Sequence, residues 1–113
     1  MLKGNMNLHY RNEDGTEDIA VLKEGETIYT AAGIPHSPRF SADAFLLVGE
    51  RMRRPGETDT FQWFCPECDK LIHEEFFVVD DYTKDPVSKA YAAFFESEEA
   101  RTCDDCGAVH PKP

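Results

Sequence analysis

The chain has 113 residues, which is enough for one ordinary domain or for a small domain with an appendage. Hydrophobic residues make up 41% and aromatic residues 12% of it, a composition typical of a globular protein with a buried core. The formal net charge of -10 disfavours nucleic acid and anionic lipid as partners, and no apolar run approaches the roughly 20 residues of a membrane span. The first residues lack the apolar stretch of a signal peptide, so we expect a cytoplasmic protein.

Short strands and turns are predicted for the first half of the chain. Apolar and polar residues alternate in stretches rich in β-formers, which predicts four strands, at residues 6–10, 18–22, 27–31 and 44–51. Polar turn residues separate the first three strands, at residues 12–15 and 23–26. We interpret "GIPHSP", residues 33–38, as a loop because it is too rich in proline for a central strand. The spacing favours an antiparallel meander in a sandwich or small barrel.

A polar linker with proline and glycine, residues 53–60, marks a change in the character of the chain. We therefore divide the chain into a sheet region, residues 1–54, and a cysteine-bearing region, residues 55–113. Within the second region, residues 61–64 lead into the first cysteine pair and residues 70–79 leave it as a strand.

One helix is predicted near the end of the chain, over residues 87–97. Asp85 and Pro86 are typical of an N-cap and a first helical residue. Tyr91, Phe94 and Phe95 then share one face of the helix, and we interpret this face as core.

All four cysteines occur in two Cys-x-x-Cys units with 34 residues between them, Cys65 with Cys68 and Cys103 with Cys106. Two thiolates three positions apart on a tight turn can face one ion, so two such turns predict a closed tetrahedral site. The soft ligands limit the ion to zinc or iron. Two disulfides or a thiol redox pair are the alternatives. A closed site of this kind stabilises a fold and rarely catalyses.

Other candidate site residues are weaker when judged on their own. His36 is a single histidine in a loop, and such residues are usually structural. Arg39 is commonly solvated in such a place, whereas Glu50 ends an apolar strand, where a carboxylate needs a partner or a function. The remaining histidines are weaker still, and His73 is an improbable fifth ligand for a shell that four cysteines fill.

In combination, these motifs resemble the 3-hydroxyanthranilate 3,4-dioxygenase family of cupin enzymes. The resemblance runs through the chain in order, in the segments "LKGNMNL", "LKEGETIYTAAGIPHSP", "LLVGERMR", "FQWFCPECDKLIHEE" and "YAAFFESEEARTCDDCGAVHP". It implies a mainly β fold: a partial cupin, which is an antiparallel double-stranded β-helix, with a C-terminal four-cysteine region and a short helix.

The resemblance also implies an open Fe(II) site held by two histidines and one glutamate. His36 matches the last of these ligands, and Glu50 matches an acidic residue of the substrate pocket, a catalytic proton acceptor or an amine contact. Arg39 approximates a substrate-binding arginine but lies one residue closer to the histidine than the pattern His-Ser-Pro-x-Arg places it. The four cysteines match a separate metal centre of zinc or iron.

The implied reaction is the cleavage of 3-hydroxyanthranilate with O2 to 2-amino-3-carboxymuconate semialdehyde, on the kynurenine route to quinolinate and NAD. The family's other histidine and glutamate ligands lie upstream of the segment that begins here with "MLKGN". We therefore expect an N-terminally truncated member with one of three iron ligands, inactive alone.

A half-built barrel exposes apolar faces that another chain must cover, so we expect a homodimer. Two copies of His36 with Glu50 could assemble an iron site between them, which is a weak alternative. The main alternative function is a non-catalytic zinc-binding module for assembly or partner binding.

Overall fold

The computed structural model describes residues 1–81, 83–84 and 86–113, and the chain divides into two units, Met1–Glu50 and Arg51–Pro113. Among the described residues, neither helix combines the length and the apolar character that a membrane crossing requires. The fold is mainly β with two short helices, which confirms the predicted fold class.

A three-stranded antiparallel sheet forms the first unit. Its strands are β1 (Met6–Arg11), β2 (Glu17–Leu22) and β3 (His36–Phe40), in the order β2-β1-β3. The predicted turn between the first two strands is confirmed, because the Asn12 N–H donates to the Thr16 carbonyl at 2.9 Å. Gly15 supplies the positive φ of +86° that this turn requires.

Alternating residues of β1 and β2 build the core of the first unit. Met6, Leu8 and Leu22 are buried together with Met1, and the partly buried Ala20, Ala44 and Leu46 pack against them. Successive side chains of a strand point to opposite faces, so the other face of the sheet leaves Ile19 and Val21 about half exposed.

Two of the predicted strands in this unit are wrong. Residues 27–31 form no strand, and within residues 44–51 only Phe45 pairs, in a single antiparallel bridge with Lys3. Tyr29 is 89% exposed and Leu47 is 76% exposed. Strand propensity depends on packing against neighbours, and these side chains find none in this unit.

The predicted meander and part of the predicted loop are also wrong. The first strand lies in the middle of the sheet, and β3 begins within the expected loop, at His36. Pro38 is tolerated because β3 is an edge strand, where a missing backbone N–H removes no ladder bond.

The second unit packs a helix on a two-stranded antiparallel sheet. Its elements are β4 (Asp59–Phe64), β5 (Leu71–Phe77), α1 (Pro86–Glu96) and α2 (Glu98–Arg101). The predicted strand after the first cysteine pair and the predicted helix are confirmed, while the proposed N-cap Asp85 lies outside the described residues.

The aromatic face of α1 is core at Phe94 and partly buried at Phe95, whereas Tyr91 is 42% exposed, so the predicted core face is confirmed only in part. Phe94 is fully buried and stacks on the Trp63 indole with ring centroids 4.4 Å apart. Tyr91 and Phe95 contact each other edge to face and complete the stripe. This cluster anchors β4, whose end leads directly into Cys65.

Candidate metal centre

The four cysteines meet at one place, with their Sγ atoms all within 4.8 Å of one another. The Sγ atoms of Cys65 and Cys106 are 3.5 Å apart, and those of Cys68 and Cys103 are 3.6 Å apart. All four are free thiols, and both separations are far longer than the roughly 2.05 Å of a disulfide bond. The disulfide alternative therefore does not describe this structure.

Both Cys-x-x-Cys turns use the same backbone design. The Cys65 N–H donates to the Lys70 carbonyl, and the Asp69 N–H donates back to the Cys65 carbonyl. In the second turn, the Cys103 N–H donates to the Ala108 carbonyl, and the Gly107 N–H donates to the Cys103 carbonyl. Two six-residue segments of different sequence thus fold into matching knuckles, which are residues 65–70 and 103–108.

Each knuckle needs a left-handed residue at its fifth position. Asp69 has a φ of +63° in the first knuckle, and Gly107 has a φ of +76° in the second. Aspartate tolerates this region better than most residues, and glycine adopts it without steric cost. Gly107 therefore permits the tight turn of the second knuckle.

The sulfur positions fit one tetrahedral metal ion. Four thiolates about 2.3 Å from a central zinc have neighbouring sulfurs about 3.8 Å apart, from tetrahedral geometry. The contacts of 3.5 and 3.6 Å are close to this value. The donor set is soft and closed, so the cluster suits zinc or iron bound for stability.

The thiol pKa values differ widely because the four sulfurs lie too close together to be negatively charged at the same time. Backbone hydrogen bonds from Cys106 and Asp105 lower the pKa of Cys103 to about 7. A backbone hydrogen bond at Lys70 lowers the pKa of Cys68, but desolvation and the neighbouring thiols outweigh it and raise that pKa to about 12. A divalent cation would remove this competition, because metal binding replaces the thiol protons.

An ion pair that sequence reasoning missed joins the two knuckles. The Lys70 Nζ lies 2.8 Å from an Asp104 carboxylate oxygen, and this contact raises the lysine pKa and lowers that of the aspartate. Lys70 is the sixth residue of the first knuckle and Asp104 is the second residue of the other. The sequence could have predicted the pair only if these two positions had been compared. The pair is a contact between the knuckles that uses no thiol, but Asp104 is 82% exposed, so the contact contributes little to stability.

His36 begins the edge strand β3 and is exposed. It pairs with Tyr10 of β1, and Pro38 pairs with Leu8, so His36 lies on the same sheet face as the buried Leu8. Its Nδ1 lies 2.8 Å from the Ile34 carbonyl oxygen. A carbonyl only accepts hydrogen bonds, so Nδ1 carries the proton and the Nε2 lone pair is available.

Arg39 and Glu50, the other predicted iron-site residues, lie in a strand and in an irregular segment. Arg39 pairs with Asn7 and lies on the opposite face of β3, because the one-residue offset in the motif moves a side chain to the other face. Glu50 is exposed in an irregular segment and does not end a buried strand. Among the described residues, the four cysteines are the cluster with metal-ligand geometry.

Two histidines of the second unit belong to its aromatic core. The His73 ring centroid lies 5.5 Å from that of Phe94, and the His110 centroid lies 5.3 Å from it. These contacts explain both residues by packing and leave the four-sulfur shell complete.

The model of the family "3-hydroxyanthranilic acid dioxygenase" matches residues 1–95. The chain belongs to this family. Proteins described as 3-hydroxyanthranilate 3,4-dioxygenase are similar to it along nearly its whole length.

Two of these relatives illustrate the extent of the match. The protein from Xanthomonas euvesicatoria pv. vesicatoria is 36% identical over 112 residues, which cover 99% of this chain and 62% of the relative. The protein from Bacillus cereus is 34% identical over 111 residues, which cover 98% of this chain and 62% of the relative. The chain therefore spans less than two thirds of the length of these family members.

Proposed function

We propose that this chain is the part of a 3-hydroxyanthranilate 3,4-dioxygenase that carries a closed four-cysteine metal centre and one ligand of a catalytic iron site. The observation that carries the proposal is the match to the dioxygenase relatives over 99% of the chain. The substrates would be 3-hydroxyanthranilate and O2, and the product 2-amino-3-carboxymuconate semialdehyde, on the route to quinolinate and NAD.

His36 supports the iron-site proposal through its hydrogen bond. The Ile34 carbonyl accepts a hydrogen bond from Nδ1 and leaves Nε2 as the ring nitrogen that can bind a metal. This arrangement is common to histidines that bind metals. Fe(II), when bound, supplies the redox chemistry that couples dioxygen to cleavage of the ring. The role of this chain there is to present one oriented imidazole nitrogen.

Glu50 and Arg39 are proposed for the substrate side of the same site. Glu50 would accept a proton or contact the amine of the substrate. The role of Arg39 requires a β-bulge between it and His36, because in the regular strand the two side chains point to opposite faces.

We further propose a division of labour along the chain. Residues 1–54 would form the partial cupin sheet, and residues 55–113 would hold zinc or iron at the four cysteines as a separate metal centre. Four free thiols suit a reducing compartment, which supports a cytoplasmic location. The exposed apolar side chains of the first unit support a homodimer, which light scattering on the purified chain would reveal.

These 113 residues alone are proposed to be inactive, because one imidazole does not hold catalytic Fe(II). The test is oxygen uptake by the purified chain with Fe(II) and 3-hydroxyanthranilate, beside the variant His36→Ala. We expect no difference between the two proteins. Turnover by the wild-type chain that His36→Ala abolishes would refute the proposal of inactivity.

A non-catalytic metal-binding module is the second candidate function. It is favoured by the completeness of the four-sulfur cluster, since His36 belongs to no such cluster among the described residues. Supplying, as a separate polypeptide, the part of the relatives that these 113 residues do not match distinguishes the two. Restored ring cleavage supports the enzyme, whereas an inactive but metal-loaded complex supports the module.

A further inference from the structure

One buried positive charge of the second unit has no carboxylate partner. Arg101 ends α2 and is 8% exposed, and among the described residues no other charged side chain is buried. Its Nη1 donates to the His110 carbonyl at 2.8 Å, whereas its Nε is buried without a hydrogen-bond partner. The neighbouring Glu98 and Glu99 are exposed, and Arg101 forms no ion pair with a described residue. An isolated buried charge is costly, so Arg101 requires a counter-charge.

Arg101 lies next to the four-cysteine cluster. Thr102 is extended, with φ of -88° and ψ of 126°, so the side chains of Arg101 and Cys103 on either side of it project to the same side of the chain. Both are buried, while Thr102 itself is exposed. Cα atoms two positions apart in extended backbone are about 7 Å apart, which puts the base of the arginine side chain close to a metal ligand.

Contacts at the base of the second knuckle keep the guanidinium in this place. The His110 N–H donates to the Arg101 carbonyl at 2.8 Å, and Thr102 forms an antiparallel bridge with Val109. The His110 ring packs edge to face against Phe94, and this contact fixes the residue whose carbonyl accepts from Nη1. The positive charge therefore has a defined position beneath Cys103.

We propose that Arg101 is the counter-charge of the metal centre and raises its affinity for a divalent cation. The proposal rests on the metal centre of the proposed function but not on ring cleavage. Four thiolates around one divalent cation leave two net negative charges. Metal binding replaces thiol protons, so the cluster becomes more negative on binding, and a fixed cation beside it favours the bound state.

The other cation at the cluster does not fill this role. Lys70 is 43% exposed and is already paired with the Asp104 carboxylate, which cancels most of its charge. Water also screens an exposed charge, whereas a buried guanidinium acts through a medium of lower dielectric constant. Arg101 is therefore the cation whose charge the cluster feels most.

The test measures the zinc affinity of purified chains by competition with a chelator of known affinity. Arg101→Met removes the charge and keeps an unbranched apolar side chain, whereas Arg101→Lys keeps the charge and loses the planar guanidinium. We expect at least about tenfold weaker zinc binding in Arg101→Met, because a unit charge about 10 Å from a dianion stabilises it by that factor or more at the effective dielectric of a protein. Arg101→Lys should restore most of the affinity.

Arg54→Met is the matched control, because it makes the same change in net charge in the same unit. Arg54 is exposed, so its charge is screened by water, and this variant should bind zinc as tightly as the wild-type chain.

The iron-loaded chain gives a second measurement that separates charge from packing. The cluster is more negative with Fe(II) than with Fe(III), so a nearby cation favours the reduced form and raises the reduction potential. Spectroelectrochemistry should show a more negative potential in Arg101→Met and a potential near the wild-type value in Arg101→Lys. A purely structural role predicts no such recovery in the lysine variant.

Three results would overturn the assignment. They are wild-type zinc affinity in Arg101→Met, an equal loss in Arg101→Met and Arg101→Lys, and an equal loss in Arg54→Met. If Arg101→Met fails to fold, Arg101→Lys decides, because the charge account requires it to bind zinc almost as tightly as the wild-type chain. A wild-type chain that binds no zinc contradicts the metal centre itself, and that failure is recognised before any variant is compared.

Discussion

Replacing Gly107 with alanine tests whether metal binding orders the knuckles. Its φ of +76° costs an L-residue about 1–2 kcal/mol. A Cβ at this position would meet nothing within 4 Å, so the penalty is one of backbone conformation and not of packing. Alanine also reduces the entropy of the unfolded chain, which offsets about 0.5 kcal/mol.

The net cost of Gly107→Ala is therefore about 1 kcal/mol, which corresponds to about fivefold weaker metal binding. The loss of stability appears as a loss of metal affinity if the knuckle becomes ordered only when the metal binds. The backbone strain of alanine is then absent from the metal-free state and weakens metal binding by its full amount. The assay is competition for zinc against a chelator of known affinity.

Gly15→Ala is the matched control for this prediction. Gly15 also has a positive φ, of +86°, and open space at its Cβ, but it lies in the β1–β2 turn of the first unit. It should lose similar stability and leave zinc affinity unchanged. Equal affinities of Gly107→Ala and the wild type, or the same loss in both variants, would refute the reasoning.

Three further outcomes are expected. Phe94→Ala should lower the free energy of unfolding of the second unit by about 3–5 kcal/mol, because it leaves a cavity at a fully buried position against Trp63. An unchanged midpoint of urea unfolding, followed by tryptophan fluorescence, would contradict this. Removing the metal with a chelator should lower the thermal midpoint of that unit, and readding it should restore the midpoint, as calorimetry would measure. The Arg51 guanidinium lowers the pKa of Glu57 to about 2, so the stabilising contact is complete above pH 4.5 and is lost as the pH falls towards 2. Arg51→Gln should move the Glu57 titration in NMR back up towards pH 4.5, and an unmoved titration would assign the shift to another group.

The local patterns of the sequence predicted much of the fold. The alternation around Met6 and Leu8 predicted β1, and the aromatic spacing of α1 predicted the face on which Phe94 is buried, although Tyr91 on that face is exposed. The paired Cys-x-x-Cys units predicted the metal cluster, because ligand chemistry restricts how four thiols can be used.

The errors arose where a strand depends on its neighbours. Residues 27–31 and 44–51 have strand composition, but Tyr29 and Leu47 have no surface to pack on within the first unit. In the reverse direction, the proline-rich segment from His36 pairs with β1 because an edge position tolerates Pro38. Propensity describes a segment, whereas pairing depends on which other segments are present.

The candidate iron site depends on more than the order of its residues. A motif names residues in order but not the face of the strand that each side chain occupies. The single-residue offset of Arg39 is a small difference in sequence, yet it places the guanidinium on the face opposite His36.

Counting metal ions per purified chain by elemental analysis tests the central claim most directly. We predict one ion of zinc or iron per 113 residues, lost in Cys103→Ser and retained in His36→Ala. A chain without bound metal, or one whose metal depends on His36 and not on the cysteines, would contradict this account.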